Sequence, residues 1–123
     1  MIEVVRYDNG IKLEGHAGYA PHSTDIVCAS VSALLQTFIV SVEDLCTDKL
    51  NTAITSGNAV IQYRDLTEQA QVLLDSFFIG INMIADSYPS NVRVIDNTCP
   101  GVEGDKSYGD KEQACNSLNC KEN

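Results

Sequence analysis

Two short segments at the start of the chain alternate between apolar and polar residues, which is the pattern of a half-buried strand. They are residues 2–7 and 11–16, and Asp8-Asn9-Gly10 between them is a typical turn sequence. The two segments therefore predict a β-hairpin. Because side chains alternate along a strand, we expect His16, at the end of the second strand, to leave the sheet on its polar face.

Two longer segments, residues 25–46 and 67–88, have apolar residues at three- and four-residue spacings and predict long helices. Gly80 inside the second helix indicates a close contact with another helix, and Pro89 ends that helix. The predicted buried stripes are Val27, Val31, Leu34, Leu35, Phe38, Val42 and Leu45 in the first helix and Ala70, Leu73, Phe77, Ile81, Ile84 and Tyr88 in the second.

A second predicted hairpin pairs residues 51–56 with residues 59–64 around a Gly57-Asn58 turn. Residues 91–95 then form a short final strand. The element order ββαββα(β) predicts an α+β fold of two layers, in which two long helices pack on a small mixed sheet.

Composition and charge limit the possible functions. A hydrophobic content of 44% predicts one domain, residues 1–95, whereas residues 96–123 contain few large hydrophobic side chains and predict a disordered acidic tail. The formal charge of −9 disfavours direct binding to nucleic acid or to an anionic membrane. We find no uninterrupted apolar stretch of the ~20 residues of a membrane helix and no signal peptide pattern, so we expect a cytoplasmic protein.

Cysteine chemistry is predicted where the first helix begins. Ser23, Thr24 and Asp25 are residue types that cap helices, so Cys28 should lie in the first turn. Unpaired backbone N–H groups and the positive end of the helix dipole stabilise a thiolate there, and the same groups are suited to binding an oxyanion. His16, before the loop, is a candidate base.

Several neighbouring residues allow two interpretations. Asp25 is suited to orienting His16 and equally to capping the helix. Ser30 and Ser32 either line the substrate site or hydrogen-bond within the helix. His22 is nearer to the cysteine in sequence and competes with His16 as the base.

The remaining cysteines predict neither a disulfide framework nor a metal site. Their total is five, an odd number, at mixed spacings. Cys46, Cys99, Cys115 and Cys120 are four potential zinc ligands, but they lack the short paired spacings of structural zinc sites. We therefore expect free thiols, no bound metal, and a reaction that requires no cofactor.

Two motifs carry a resemblance to a known family. GHAGYA at residues 15–20 and DIVCASVSAL at residues 25–34 closely resemble the ribosomal-processing cysteine protease family, Prp, as does Phe77-Phe78-Ile79-Gly80 in the second helix. The resemblance implies a two-layer α+β endopeptidase that forms a homodimer, with its nucleophile at Cys28 and its base at His16. Gly80 and the extra apolar faces of the first helix are consistent with that dimer.

The resemblance also implies a substrate. Family members remove a short N-terminal extension from large-subunit ribosomal protein twenty-seven, and the acidic chain would attract such a basic precursor. A phage protease that processes capsid or scaffold proteins and a non-catalytic peptide-binding module remain alternatives. The chain has Ala20 and Ser23 where the family commonly has glycine, and with Pro21 these residues predict a stiffer loop.

Overall fold

The computed structural model describes residues 1–21 and 25–98. These residues form five strands and two helices in the predicted order, which confirms the α+β fold. The elements are β1 (Ile2–Tyr7), β2 (Gly10–Glu14), α1 (Ile26–Leu45), β3 (Asn51–Thr55), β4 (Asn58–Gln62), α2 (Glu68–Ser87) and β5 (Val92–Asn97).

The five strands form one mixed sheet in the order β3-β4-β2-β1-β5. The β1–β5 pair is parallel and the other three pairs are antiparallel. Apolar side chains of the sheet and of both helices meet in a single core. Its most deeply buried large side chains are Ile11, Ile61, Ile81, Val4, Val27, Val42 and Val92.

Both helices begin and end within a residue of their predicted limits. Asp25 and Cys46 cap α1, and Thr67 and Tyr88 cap α2. In α1 the predicted stripe is correct except at its end, because Leu45 is 70% exposed while the next residue, Cys46, packs on the core. The helix caps and the apolar spacing thus contain most of the information that defines these two elements.

Gly80 makes the close helix contact that its position predicts. A Cβ at Gly80 would lie 2.8 Å from Cδ1 of Leu34, so the glycine lets α1 and α2 of one chain approach each other. Because this contact is intramolecular, Gly80 is not an indication of a dimer interface.

Several predicted strand boundaries are shifted, including that of β4, which ends at Gln62 rather than Arg64. The β3–β4 turn is Ser56-Gly57 rather than Gly57-Asn58, and β2 ends at Glu14, so His16 lies beyond the alternating strand. Strand β5 continues to Asn97, past the predicted end of the domain, because its parallel pairing with β1 extends to Tyr7. Of the predicted tail, residues 99–123 lie outside the described residues.

Helix α1 is long and apolar enough to span a membrane by length and composition alone, although polar residues interrupt its apolar sequence. One face of α1 is buried in the core, and this packing accounts for much of its apolar character. The buried residues are Val27, Val31, Leu35, Phe38 and Val42.

Candidate active site

Cys28 lies in the first turn of α1, as predicted, and Asp25 is the N-cap residue. The Asp25 side chain accepts hydrogen bonds through Oδ1 from the backbone N–H groups of Val27 and Cys28, both at 2.9 Å. The backbone N–H of Ala29 donates to the carbonyl oxygen of Asp25 at 3.1 Å. The capping interpretation of Asp25 is therefore correct.

The second oxygen of Asp25 binds the preceding loop. Oδ2 accepts hydrogen bonds from the backbone N–H groups of Tyr19, at 3.0 Å, and Ala20, at 3.4 Å. Burial by itself would raise the pKa of Asp25, but the four N–H donors from Cys28, Tyr19, Ala20 and Val27 together hold it below its ordinary value. The carboxylate is thus ionised at neutral pH and ties the loop to the start of α1.

The sulfur of Cys28 does not receive its hydrogen bond from the helix start, contrary to expectation. The N–H of Cys28 is engaged by Asp25, and the carboxylate meets the partial positive charge of the helix end. The donor to Sγ is instead the backbone N–H of Ala17, at 3.2 Å. Because Ala17 directly follows His16, this bond holds the segment with the candidate base against the candidate nucleophile.

His16 is exposed, and its imidazole lies over the β3–β4 turn. A Cβ at Gly57 would be 2.8 Å from Nε2 of His16, so the ring occupies space that any side chain at Gly57 would need. The N–H of Gly15 donates to the carbonyl oxygen of Gly57 at 2.9 Å. The turn and the end of β2 are thereby joined directly beside His16.

Two neighbouring hollows of about 300 and 290 Å³ share His16, Cys28 and Ser56 in their walls. The smaller one extends under the loop towards Ala20 and Asp25. The larger one runs between α1 and the β3–β4 hairpin and has a mainly apolar lining. Its apolar side chains are Ile2, Leu13, Val31, Leu35, Ile54 and Ala59.

The two serines of the prediction both hydrogen-bond within α1, since the hydroxyl of Ser32 accepts a hydrogen bond of 3.3 Å from Nε2 of Gln36. Ser32 lines the larger hollow, one helical turn beyond Cys28. The hydroxyl of Ser30 donates to the carbonyl oxygen of Ile26 at 2.7 Å, so this side chain bonds within the helix. Ser56 joins both hollows and was missed, because only the hairpin register brings it to the site.

Some predicted participants cannot be placed. His22 and Ser23 lie outside the described residues, as do Cys99, Cys115 and Cys120. Within residues 1–21 and 25–98, Cys28 and Cys46 are free thiols. In the same ranges, no group of three or more His, Cys, Asp or Glu side chains is arranged to hold a metal ion.

Known proteins are similar to this chain in sequence and in fold. The ribosomal processing cysteine protease Prp of Staphylococcus aureus, strain Mu50, is 27% identical over 85 residues, which are 67% of this chain and 80% of that protein. The same identity and coverage are found for the protein of strain NCTC 8325.

Solved structures extend the comparison to the fold. A crystal structure of the S. aureus essential ribosomal processing protease Prp, in complex with a covalently linked product peptide, has a TM-score of 0.71 at 22% identity. The match covers 77% of this chain and 96% of that chain. A Streptococcus mutans protein has a TM-score of 0.58 at 29% identity, covering 77% of this chain and 92% of that one.

The sequence of the domain that contains the site matches one known family. A sequence model of the cysteine protease Prp family matches residues 1–93, which include both motifs, the β3–β4 hairpin and both helices. This chain therefore belongs to the cysteine protease Prp family.

Proposed function

We propose that this chain cleaves peptide bonds with Cys28 as nucleophile and His16 as general base. The observation that supports these roles best is that both side chains line the same two hollows while the N–H after His16 bonds to Sγ of Cys28. A thiol needs an adjacent base and a hydrogen-bond donor to react as a thiolate at neutral pH.

The reaction follows from this arrangement. His16 takes the proton from Cys28, and the thiolate attacks the scissile carbonyl carbon to form a tetrahedral intermediate. The imidazolium returns a proton to the amine, which leaves as the C–N bond breaks and a thioester remains. Water, deprotonated by the same imidazole, then hydrolyses the thioester and releases the thiol. This chemistry requires no cofactor.

The shape of the site indicates how a peptide lies in it. An extended peptide passing from one hollow to the other crosses Cys28, with the residues on either side of the scissile bond in separate hollows. The apolar walls of the larger hollow are suited to an apolar substrate side chain. Among the described residues, no Asp, Glu, Lys or Arg side chain lines that hollow, so charge attraction must come from the wider acidic surface.

We propose that the substrate is the precursor of large-subunit ribosomal protein twenty-seven, from which the enzyme removes a short N-terminal extension in the cytoplasm. Support comes from the S. aureus relatives, whose names describe ribosomal processing, and from the charge of −9, which complements a basic ribosomal protein. The purified precursor should be incubated with the enzyme and its new N-terminus read by mass spectrometry. An uncleaved precursor, together with cleavage of a capsid or scaffold protein, would assign the enzyme to phage maturation instead.

The base is identified by a pair of histidine variants. His16→Ala should lower turnover of the precursor severely, because the thiol loses its proton acceptor. His22→Ala should have a modest effect and serves as the matched control, since it removes the only other histidine of the chain. A loss of turnover in His22→Ala with none in His16→Ala would reassign the base.

We also propose that the chain forms a homodimer through the outer faces of its helices. Ile26 and Val40 on α1 are 53% and 51% exposed, and Ile79 and Met83 on α2 are 63% and 65% exposed. Apolar surface of this kind is often covered by a partner. Light scattering at tens of micromolar should give twice the chain mass, whereas a monomer mass would contradict the dimer.

A further inference from the structure

Ala17 is held through both of its backbone polar groups. Its N–H donates to Sγ of Cys28 at 3.2 Å, and its carbonyl oxygen accepts a hydrogen bond of 2.9 Å from Nδ2 of Asn91. Ala17 itself is 2% exposed. The position of the N–H group that faces the sulfur is therefore linked to a residue 74 positions away in the sequence.

Asn91 is well placed to act as an anchor because its own backbone is fixed on both sides. Its N–H donates to the carbonyl oxygen of Tyr88 at 2.9 Å, and its carbonyl oxygen accepts a hydrogen bond of 2.9 Å from the N–H of Ile2. Asn91 thus connects the end of α2 to the start of β1 and directly precedes β5. The amide extends from the rigid part of the fold towards the site.

The segment that carries Ala17 needs such an anchor. Strand pairing ends at Glu14, and the segment is bounded by Gly15 and Gly18, whose φ angles are +98° and +70°. Glycine leaves the backbone free to rotate at these two positions. Asp25 holds the following residues, Tyr19 and Ala20. At Ala17 the side chain is buried in the core, and the backbone hydrogen bonds are those with Asn91 and Cys28.

We propose that Asn91 is a positioning residue for the nucleophile. By binding the carbonyl oxygen of Ala17, its amide holds the Ala17 N–H at the sulfur of Cys28, where this donor stabilises the thiolate over the thiol. The proposal depends on the proposed role of Cys28, because it concerns the reactivity of that sulfur. It assigns Asn91 no contact with the substrate.

The test replaces the donor of Asn91 while keeping its shape. Asn91→Asp is isosteric, but its carboxylate faces the carbonyl oxygen of Ala17 without a proton to donate. Asn91→Gln keeps the amide donor on a longer side chain and should retain part of the wild-type reactivity of Cys28. Asn82→Asp introduces the same charge on an exposed position of α2 and is the matched control.

The primary readout is the rate at which iodoacetamide alkylates Cys28 between pH 5 and pH 9, followed by peptide mass mapping. Only the thiolate reacts, so a weaker donor shifts the profile towards higher pH. We expect Asn91→Asp to react about 3- to 10-fold more slowly at neutral pH, because the Ala17 N–H is no longer held at the sulfur. For the precursor, kcat should fall with KM nearly unchanged.

A merely structural role predicts a different result. If Asn91→Asp and Asn91→Gln lose reactivity only in step with a fall in Tm, or if Asn91→Asp keeps the wild-type alkylation profile, the proposal is wrong. The alkylation assay does not require proteolysis. If Cys28→Ala is inactive and Asn91→Asp keeps the wild-type pH profile of Cys28 alkylation, only the inference about Asn91 is wrong. If Cys28→Ala is fully active, the proposed function is wrong.

Discussion

Replacing Gly57 by alanine tests how the β3–β4 turn positions His16. Gly57 has a φ of +76°, and a Cβ at this residue would lie 2.8 Å from Nε2 of His16. Ordinary van der Waals contact begins near 3.4 Å, so the imidazole must withdraw by roughly half an ångström. Because His16 is exposed, its ring has room to move towards solvent.

Two effects of this substitution can be separated. A left-handed backbone conformation costs an alanine about 1–2 kcal/mol, which should lower the Tm. Displacement of the base has its own cost, since misplacing a catalytic group by about 1 Å can reduce the rate about 100-fold. For the smaller displacement of His16 we expect kcat/KM for the precursor to fall about tenfold.

Gly18→Ala is the matched control for backbone strain. Gly18 has a φ of +70°, but a Cβ there would meet no atom within 4 Å. Thermal unfolding and kcat/KM should be measured for both variants. The two should lose similar stability, and Gly57→Ala should lose several-fold more activity than Gly18→Ala. Equal losses of activity in the two variants would refute the conclusion that the β3–β4 turn positions the His16 ring.

Three further predictions concern stability. Asp25→Asn keeps one acceptor for the helix start but turns an N–H donor towards the loop, so the Tm of the variant should be lower than that of wild type at pH 7. Because the fold holds the pKa of Asp25 down, this difference in Tm should shrink as the pH falls below about 4. Tyr63→Phe removes a buried hydroxyl that has no hydrogen-bond partner among the described residues, so the free energy of unfolding should stay the same or rise by up to about 1 kcal/mol. Burial raises the pKa of Tyr63 to about 12, so wild type should lose more stability than the phenylalanine variant between pH 10 and pH 12, as alkaline denaturant titrations will show. A chain ending at Thr98 should keep the wild-type Tm. A chain ending at Ile95 lacks the last residue pairs between β5 and β1 and should have a lower Tm. Equal Tm values for the two shortened chains would contradict a contribution of those pairs to stability.

Local patterns were sufficient to predict the helices and the position of Cys28. Asp25 can cap a helix only at its start, and the apolar spacing that follows defines one buried face, so both limits of α1 were readable from the sequence. The prediction failed at Leu45, which is exposed while the next residue, Cys46, packs on the core, because the side of the last helical turn that is covered depends on the other elements.

The turn between β3 and β4 was ambiguous for a physical reason. Glycine can take either central position of a two-residue turn; Gly57-Asn58 fits the type II′ turn, which has glycine first, whereas Gly57 is the second turn residue in the structure, with a φ of +76°. All five residues of β3 are exposed, so burial of alternate side chains could not reveal its register. That register places Ser56 in the site and Gly57 under His16.

The contacts that complete the site are the least visible in the sequence. The hydrogen bond from Asn91 to Ala17 joins two loops that only the parallel pairing of β1 with β5 brings together. The engagement of the Cys28 N–H by Asp25 followed from the cap, but the sequence could not show that Ala17 supplies the donor to Sγ instead. Tertiary contacts of this kind have no local signature.

The most direct test of the central claim compares wild type, Cys28→Ala and Cys46→Ala on the same ribosomal precursor. Cleavage should be followed by mass spectrometry, and binding by fluorescence anisotropy of a labelled precursor. We predict that Cys28→Ala binds the precursor with wild-type affinity but does not cleave it, while Cys46→Ala, which removes the other thiol of the described residues, cleaves normally. Equal cleavage by wild type and Cys28→Ala would contradict the account.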